Sequence, residues 1–300
     1  MPARFNAYPP DSAALVRLLD ENVTYRIGRA SECEVRIDHP SVSRFHAEIQ
    51  STDSGWNVRD TGSKNGLRVD GHPALTAKLE KNSWFTIGDV HCSLERLGPL
   101  AADSLRAQTQ GRRALSRQLS ARLSQGLDVG ALLPQTLDVV LELSGLERGF
   151  VLYAPQGQAL RVRASRGLRA SDIAKADFSG SIAAVKQALS SRRSVVCCDT
   201  EDDPLGARPS VRLGGIRAIV CVPLQVAEHA LGIVYVDSRQ PGPQVTELDL
   251  ELIETVAQHA SAALSARRLQ GELEDLLKAA ADAGLDAPRW DDLLQQSGSR

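Results

Sequence analysis

The chain has 300 residues, of which 42% are hydrophobic and 24% are charged, and its formal net charge is −2. This length suits two domains, and the near-neutral charge gives no global basic field of the kind that binds nucleic acid directly. The five cysteines lack metal-ligand spacing, so no metal site is expected. No signal peptide pattern is visible, and no apolar run approaches the roughly 20 residues of a membrane helix. We therefore expect a cytoplasmic protein without membrane contact.

Short alternating runs broken by Gly, Asp, Asn and Pro occupy residues 15–98. Turn signals recur about every 8 to 12 residues, which predicts an all-β sandwich. The predicted strands span residues 15–19, 25–27, 34–37, 46–50, 56–60, 67–69, 83–87 and 92–97. Residues 1–14 lack this pattern, and we expect them to be disordered.

The pattern changes after Gly98-Pro99, where residues 99–125 carry a net charge of +4. Leucines at 115, 119 and 123 have i, i+4 spacing and predict a basic helical linker. Residues 243–300 carry a net charge of −6. The opposite charges of the two segments would attract each other if both are helices that pack together. The alternative is that each helix exposes its charged face to solvent.

An α+β pattern covers residues 126–266, and a helix and tail follow at 267–300. Helices are predicted at 130–144 and 179–190, and strands at 149–154, 160–164, 194–198, 218–225 and 231–237. A final long helix begins near Thr246, which forms a capping sequence with Asp249. Small and apolar residues from Leu252 to Leu264 form a stripe along this helix, which fits packing on the domain's own sheet or across a dimer.

Three loop sequences between the predicted strands of the first domain carry cationic and hydroxyl side chains. They are Gly28-Arg29, Ser43-Arg44-Phe45-His46 and Gly62-Ser63-Lys64-Asn65-Gly66. Sandwich loops cluster at the sandwich ends, so all three can converge, and none of them contains a carboxylate. Arg offers bidentate donors to phosphate, and Ser and Asn add directional hydrogen bonds, so the sequence predicts a site for a dianion.

A catalytic pair formed by Ser43 and His46 is the competing interpretation of the second loop. Two residues this close in a strand do not provide the geometry of a base held by a third orienting group. The chain also has no Gly-x-Ser-x-Gly turn. We therefore favour anion binding over catalysis.

The order of the three motifs, G-R, then S-R-x-H, then a loop ending in N-G, resembles the forkhead-associated (FHA) family over about residues 15–97. The resemblance implies an eleven-strand β sandwich that binds phosphothreonine peptides. It implies that Arg29 and Ser43 hold the phosphate and that Asn65 holds the peptide backbone. Arg44 and Lys64 would take ligand-facing positions, although many family members carry Thr or Ser in place of Lys64.

The same resemblance implies supporting roles for three further residues. Gly28 and Gly66 would serve backbone geometry, and His46 would brace the loop without touching the ligand. A β domain whose loop charges are satisfied internally is the alternative, because some family members have lost phosphate binding.

The segments LSGLERGFVLY, GGIRAIVCVPL and LGIVYVDSR, followed by a long helix, resemble the GAF family over about residues 126–266. The resemblance implies an antiparallel sheet with helices on one face and a cavity on the other, and a role in dimerisation or in sensing a small ligand. These residues contain no Asn and no Cys-His pair, so the motifs of cyclic-nucleotide-binding and bilin-binding members are absent. The GAF ligand stays unassigned, and no cofactor is predicted.

Cys197, Cys198 and Cys221 form an alternative site for thiol redox chemistry in the second domain. Such chemistry needs exposed thiols of low pKa. Cysteines in β runs are more commonly small core residues, which is the interpretation that we favour.

These features predict a non-enzymatic signal-transduction adaptor. Its partner is expected to be a threonine-phosphorylated protein linked to a Ser/Thr kinase, and the helices that flank the GAF domain are expected to form a homodimer. The sequence shows no P-loop, zinc motif or helix-turn-helix, so the output is expected to belong to a partner, and a regulator fragment without its output domain is the alternative. Thr200 and Thr246 each have Asp three residues on, so their phosphorylation would permit self-association, although Thr246 is more simply a helix cap.

Overall fold

The computed structural model describes residues 1–10, 12–53, 55–123, 129–154, 159–168, 181–197, 215–227, 229–240 and 245–282. These residues form an all-β sandwich followed by an α+β domain with flanking helices. The predicted fold class is confirmed.

The N-terminal domain packs two sheets face to face. Its strands are β1 (Ala3–Tyr8), β2 (Leu15–Leu19), β3 (Thr24–Gly28), β4 (Val35–Arg36), β5 (Ala47–Thr52), β6 (Gly55–Asp60), β7 (Leu67–Val69), β8 (His72–Ala74), β9 (Thr76–Leu79), β10 (Asn82–Ile87) and β11 (Val90–Arg96). One sheet has the order β2-β1-β11-β10-β7-β8, and the other has the order β4-β3-β5-β6-β9. Alternate side chains of both sheets meet in one core, where Phe5, Ile27, Ile49 and Trp56 are at most 1% exposed.

The prediction of a disordered N-terminus at residues 1–14 is wrong. Residues Ala3–Tyr8 form β1, which pairs with β2 on one side and with β11 on the other. Phe5 is buried, but the neighbouring inward residues Ala3 and Ala7 are too small to give the strand a clear apolar alternation. Pairing with distant strands stabilises a segment that has little strand signal of its own.

The C-terminal domain is one antiparallel sheet with helices on both faces. Its elements are α1 (Pro99–Leu123), α2 (Val129–Ser144), β12 (Arg148–Tyr153), β13 (Arg161–Arg166), α3 (Ile182–Ser191), β14 (Val195–Cys197), β15 (Ala218–Val226), β16 (His229–Ser238) and α4 (Glu247–Asp282). The strand order is β13-β12-β16-β15-β14.

The alternation of side chains along β16 shows how the two faces of this sheet are covered. Val234 points into a core that it shares with Val140 of α2 and Val256 of α4. Tyr235 points to the other face, into a core that it shares with Ala188 of α3. The period of two residues in the strand therefore separates the α2/α4 layer from the α3 layer.

Helix α4 is continuous through residue 266, where sequence analysis ends the GAF domain. The apolar stripe from Leu252 to Leu264 is buried in the core of its own domain, so it packs on the domain's own sheet. Leu115 of α1 also packs against this core, while the side chains of Leu119 and Leu123 lie outside the described part of the structure.

The two domains contact each other where the β1–β2 loop meets the start of α4. The Ala14 N–H donates to the Val245 carbonyl at 3.0 Å, and the Glu247 N–H donates to the Ala14 carbonyl at 2.8 Å. Beside this contact, Arg112 of α1 forms an ion pair with Asp249 of α4. A basic side chain of the linker helix thus meets an acidic side chain of the final helix.

Candidate functional site

Three loops meet at one end of the N-terminal sandwich. The Arg29 N–H donates to the Ser43 carbonyl at 2.9 Å, and the Ala30 N–H donates to the Arg44 carbonyl at 3.0 Å. From the third loop, the Lys64 N–H donates to Ser43 Oγ at 3.0 Å. The structure therefore brings the backbones of all three loop sequences together around Ser43.

Gly28 ends β3 and permits the closest of these approaches. A Cβ atom at this position would lie 2.2 Å from the Arg44 carbonyl oxygen and 3.0 Å from Cys33 Sγ. The Cys33 thiol donates to the same oxygen at 3.3 Å, which holds the Arg44 backbone in place from the other side. A glycine is required here because its backbone can pass where a side chain would clash.

His46 is fully buried beneath the loops and links two of them. Its Nδ1 atom accepts a hydrogen bond from the Ser43 N–H at 3.1 Å, so Nε2 carries the proton and donates to the Gly66 carbonyl at 3.0 Å. Burial lowers the pKa of His46, which keeps the ring neutral. Both ring nitrogens are engaged with backbone groups, so neither is available to deprotonate the Ser43 hydroxyl.

Asp60 anchors the loop from residue 60 to residue 66, a role that sequence analysis did not identify. Its carboxylate accepts hydrogen bonds from the Gly62 N–H at 2.7 Å, the Ser63 N–H at 2.9 Å and the Ser63 hydroxyl at 2.5 Å. Ser63 Oγ in turn accepts the Gly66 N–H at 2.9 Å. Burial raises the pKa of Asp60, but these hydrogen bonds outweigh burial and hold it below its ordinary value. The local signal is the sequence Asp60-Thr61-Gly62, because Asp side chains commonly accept a hydrogen bond from the backbone two residues on.

Asn65 is exposed at the tip of the same loop. Its Nδ2 atom donates to the Ser41 carbonyl at 2.7 Å, and within the described residues its Oδ1 atom has no hydrogen-bond donor. Gly66 follows with φ of 78°, in the left-handed region that favours glycine. The Asn65 amide is thus held by one end and presents its oxygen as an acceptor.

Arg29, Arg44 and Lys64 are exposed, and none of them forms an ion pair with a carboxylate of the described chain. Glu34, which follows the Arg29 loop, is paired instead with Arg26 at 2.8 Å. The Asp60 side chain is buried, and its carboxylate accepts hydrogen bonds from its own loop. Cations at the end of a sandwich that form no ion pair with a described carboxylate form a site that attracts an anion with several oxygens.

The cysteines of the alternative redox site lie in the other domain. Cys197 and Cys221 are buried on the paired strands β14 and β15, and Cys198 lies outside the described residues. Cys221 stands opposite Val195 in the register, and Cys197 stands opposite Ile219. Burial raises the pKa of the Cys221 thiol, which is the opposite of what a reactive thiol needs. These observations favour a core role for both described cysteines.

A buried polar network beneath α3 also escaped sequence analysis. Asp237 forms an ion pair with Arg148 and accepts a hydrogen bond from the Tyr235 hydroxyl at 2.7 Å. The Tyr235 oxygen accepts the Ser181 N–H at 2.9 Å, and Ser181 Oγ caps α3 by accepting the Ala184 N–H at 3.1 Å. The network fastens the start of α3 to the sheet, and its groups satisfy one another.

Thr246, one of the two threonines considered for phosphorylation, caps α4. Its hydroxyl donates to Asp249 Oδ2 at 2.7 Å, and the Asp249 N–H donates to Thr246 Oγ1 at 3.2 Å. A phosphate on Thr246 would face the buried Asp249 carboxylate and break this cap. Thr200 lies outside the described residues.

The described ranges show neither a metal-ligand cluster nor a membrane-spanning helix. No group of three or more His, Cys, Asp or Glu side chains in these ranges is arranged to hold a metal ion. None of the helices in the described ranges has the length and apolar character that crossing a membrane requires.

Comparison with known proteins identifies both halves of the chain. A family model of the FHA domain matches residues 25–88, and a family model of the GAF domain matches residues 126–265. A solved GAF domain, from a phosphoenolpyruvate-protein phosphotransferase of Coxiella burnetii, matches 55% of this chain and 98% of its own length with 13% identity and a TM-score of 0.44.

Two curated bacterial relatives match a shorter part of the chain. The glycogen accumulation regulator GarA of Mycobacterium tuberculosis is 36% identical over 90 residues, which is 27% of this chain and 55% of GarA. The oxoglutarate dehydrogenase inhibitor of Corynebacterium jeikeium is 31% identical over 96 residues, which is 29% of this chain and 67% of the inhibitor. The chain spans about half the length of most of the curated relatives that it matches. The chain contains an FHA domain at residues 25–88 followed by a GAF domain at residues 126–265.

Proposed function

We propose that the chain is a non-enzymatic signalling adaptor whose FHA domain docks on a threonine-phosphorylated segment of a partner protein. The observation that carries this proposal is the meeting of the loops that bear Arg29, Arg44 and Lys64 at Ser43. No carboxylate of the described residues forms an ion pair with any of these three cations. A phosphothreonine side chain carries a charge near −2 and several acceptor oxygens, which suits this set of donors.

Each residue of the cluster has a separate role in the proposal. Arg29 and Ser43 hold the phosphate, and Arg44 and Lys64 add positive charge around it. The Asn65 amide oxygen accepts a backbone N–H of the peptide, because the other end of the amide is already fixed on Ser41. Gly28, His46 and Gly66 keep the three loops in contact.

The names of the relatives support a regulatory role. GarA is a glycogen accumulation regulator, and the Corynebacterium jeikeium protein is an oxoglutarate dehydrogenase inhibitor. We infer that this chain also regulates a partner, that a Ser/Thr kinase controls docking by phosphorylating that partner, and that docking takes place in the cytoplasm. The four free cysteines of the described residues suit such a reducing compartment.

The decisive experiment is a phosphothreonine peptide library probed with the wild-type chain and with Arg29→Ala. Removing one partner of a desolvated charge pair costs about 2–5 kcal/mol, which is enough to abolish a micromolar interaction. Lys81→Ala is the matched control, because Lys81 is an exposed cation in the turn before β10, at the opposite end of the sandwich. Binding that Arg29→Ala leaves unchanged, or that the unphosphorylated peptides show equally, would overturn the proposal.

The second part of the proposal is a homodimer formed through α4. We call Leu269, Leu273, Leu276 and Leu277 the leucine seam; each is 55–67% exposed. The spacing of four and then three residues between Leu269, Leu273 and Leu276 is that of alternating core positions in a coiled coil. Exposed leucines in such a row indicate an interface, and the same row on a second copy offers the matching surface.

A further inference from the structure

The GAF domain touches the FHA domain at the end that carries the phosphopeptide site. The loop that contains Lys64 and Asn65 leads directly into β7, where Leu67 pairs with Ile87, the last residue of β10. Ile87 pairs with Val90 across the β10–β11 turn, and Tyr8 pairs with His91, the next residue of β11. Strand β1 therefore ends at the phosphopeptide end of the sandwich, and the β1–β2 loop emerges there.

This loop is the part of the FHA domain that docks on the GAF domain. Ala14 exchanges two backbone hydrogen bonds with Val245 and Glu247, and Ala13 is buried in the GAF core. Arg17, in the middle of β2, forms an ion pair with Glu247 at 2.6 Å. The GAF domain is thus fixed beside the phosphopeptide loops rather than at the far end of the sandwich.

A chain of contacts leads from Arg29 across the domain junction. Arg36 Nε donates to the Arg29 carbonyl at 3.3 Å, and the Arg36 guanidinium forms an ion pair with Asp38 at 3.1 Å. Asp38 and the GAF residues Arg192 and Arg193 line one open cleft of about 500 Å³ between the domains. Asp38, which Arg36 links to the Arg29 backbone, is thus the FHA residue that lines the cleft.

The charges around this cleft leave Arg193 available to an anion. Asp38 is paired with Arg36 at 3.1 Å. Glu254 also lines the cleft; it is held by the Ser194 hydroxyl at 2.6 Å, which brings no opposite charge, and it forms no ion pair with Arg193. Arg193 is exposed and has no ion pair among the described residues. Its position in the turn between α3 and β14 places it on the edge of the GAF sheet that faces the FHA domain.

We propose that Arg193 of the GAF domain extends the phosphopeptide surface and binds a second anionic group that flanks the phosphothreonine of the partner. The second group is an Asp or Glu side chain or a second phosphate, since both offer a guanidinium the same oxygens. This inference rests on the proposed function, because it assumes that a phosphothreonine occupies the Arg29 site. It makes the GAF domain a determinant of peptide specificity.

The test measures the affinity of the full chain for three labelled phosphothreonine peptides by fluorescence anisotropy. One peptide has neutral flanking residues, one has Asp and Glu on both sides, and one has a flanking phosphoserine. We expect Arg193→Glu to weaken binding of one or both anionic peptides by about five-fold or more, and to leave the neutral peptide within about two-fold. The acidic and the phosphoserine peptides together show which anion the site prefers.

Arg163→Glu is the matched control, because Arg163 is an exposed cation on β13, the opposite edge of the GAF sheet. Three results would overturn the inference. Arg193→Glu could weaken the binding of neutral and anionic peptides equally, it could weaken binding no more than Arg163→Glu does, or it could leave the binding of both anionic peptides unchanged. Those results would leave the proposed function standing as long as Arg29→Ala still abolishes binding. Failure of the wild type to bind any phosphothreonine peptide would instead overturn the proposed function.

Discussion

The backbone N–H of Ser43 donates a hydrogen bond to the Nδ1 atom of His46 at 3.1 Å. This contact separates the two residues into different roles, since the imidazole holds the Ser43 backbone while the Ser43 hydroxyl faces the Lys64 N–H. A nucleophile and its base would instead share a hydrogen bond through the hydroxyl. The pair therefore shapes the loop rather than a nucleophilic site, and the consequences of that arrangement can be measured.

The first prediction concerns pH and His46. Burial lowers the pKa of His46 in the folded state below its ordinary value of 6.5, so the unfolded chain takes up a proton at higher pH than the folded chain does. The stabilisation that the neutral ring provides is therefore fully present above pH 6.5. It is lost as the pH falls from 6.5 through the lowered pKa of the folded state. Thermal unfolding at a series of pH values should show this loss.

His46→Gln supplies the comparison for that experiment. It should lower the free energy of unfolding by about 2–4 kcal/mol at pH 7, because it disturbs the bonds to the Ser43 N–H and the Gly66 carbonyl. It should also flatten the pH dependence below 6.5. A variant with the same pH slope as the wild type would show that another group controls the titration.

The second prediction is that Gly28→Ala destabilises the FHA domain. The new Cβ atom would lie 2.2 Å from the Arg44 carbonyl oxygen, so the backbones of the two loops must separate. We expect a loss of about 2–4 kcal/mol in chemical denaturation. Gly111→Ala is the control, because a Cβ there meets no atom within 4 Å and alanine favours the α1 helix. Equal stability of the two variants would contradict the close approach.

The third prediction separates loop order from direct ligand contact. Asp60→Ala removes the acceptor of three hydrogen bonds in the loop that carries Lys64 and Asn65. We expect phosphopeptide affinity to fall by about ten-fold although Asp60 itself does not touch the peptide. Isothermal titration calorimetry measures this change, and Asp53→Ala, in an exposed turn between β5 and β6, should have no effect. Unchanged affinity in Asp60→Ala would mean that the loop keeps its shape without the carboxylate.

The fourth prediction tests the homodimer. Leu273→Glu combined with Leu276→Glu places charges in the middle of the leucine seam and should convert the dimer into a monomer in sedimentation velocity runs. Lys278→Glu changes the charge of the same helix at an exposed position outside the seam and should leave the dimer intact. The runs are made at a protein concentration on the order of tens of micromolar. A wild-type chain that sediments as a monomer there would contradict the proposed dimer.

Sequence analysis located the FHA motifs and eight of the eleven strands because their signals are local, and it missed β1, β8 and β9. Alternation from Leu15 to Leu19 coincides with β2, and the run from Leu67 to Val69 coincides with β7. Strand β1 had too weak an alternation to be recognised, because Ala3 and Ala7 gain their burial only by pairing with distant strands. Asp60 was passed over for a similar reason, since its role appears only when its three hydrogen bonds are seen to shape the loop of the site.

The amino-acid sequence by itself determined the two domains, their order and the residue types that gather at the FHA loops, because periodicity and motif spacing lie within short segments. Only the tertiary structure decided which apolar stripe of α4 is covered: Leu252 to Leu264 pack inside the domain, while Leu269 to Leu277 stay exposed. It also decided that the GAF edge with Arg193 lies at the junction with the FHA domain, where both Asp38 and Arg193 line one cleft. Burial and domain docking depend on which distant surfaces meet, and no local pattern records that.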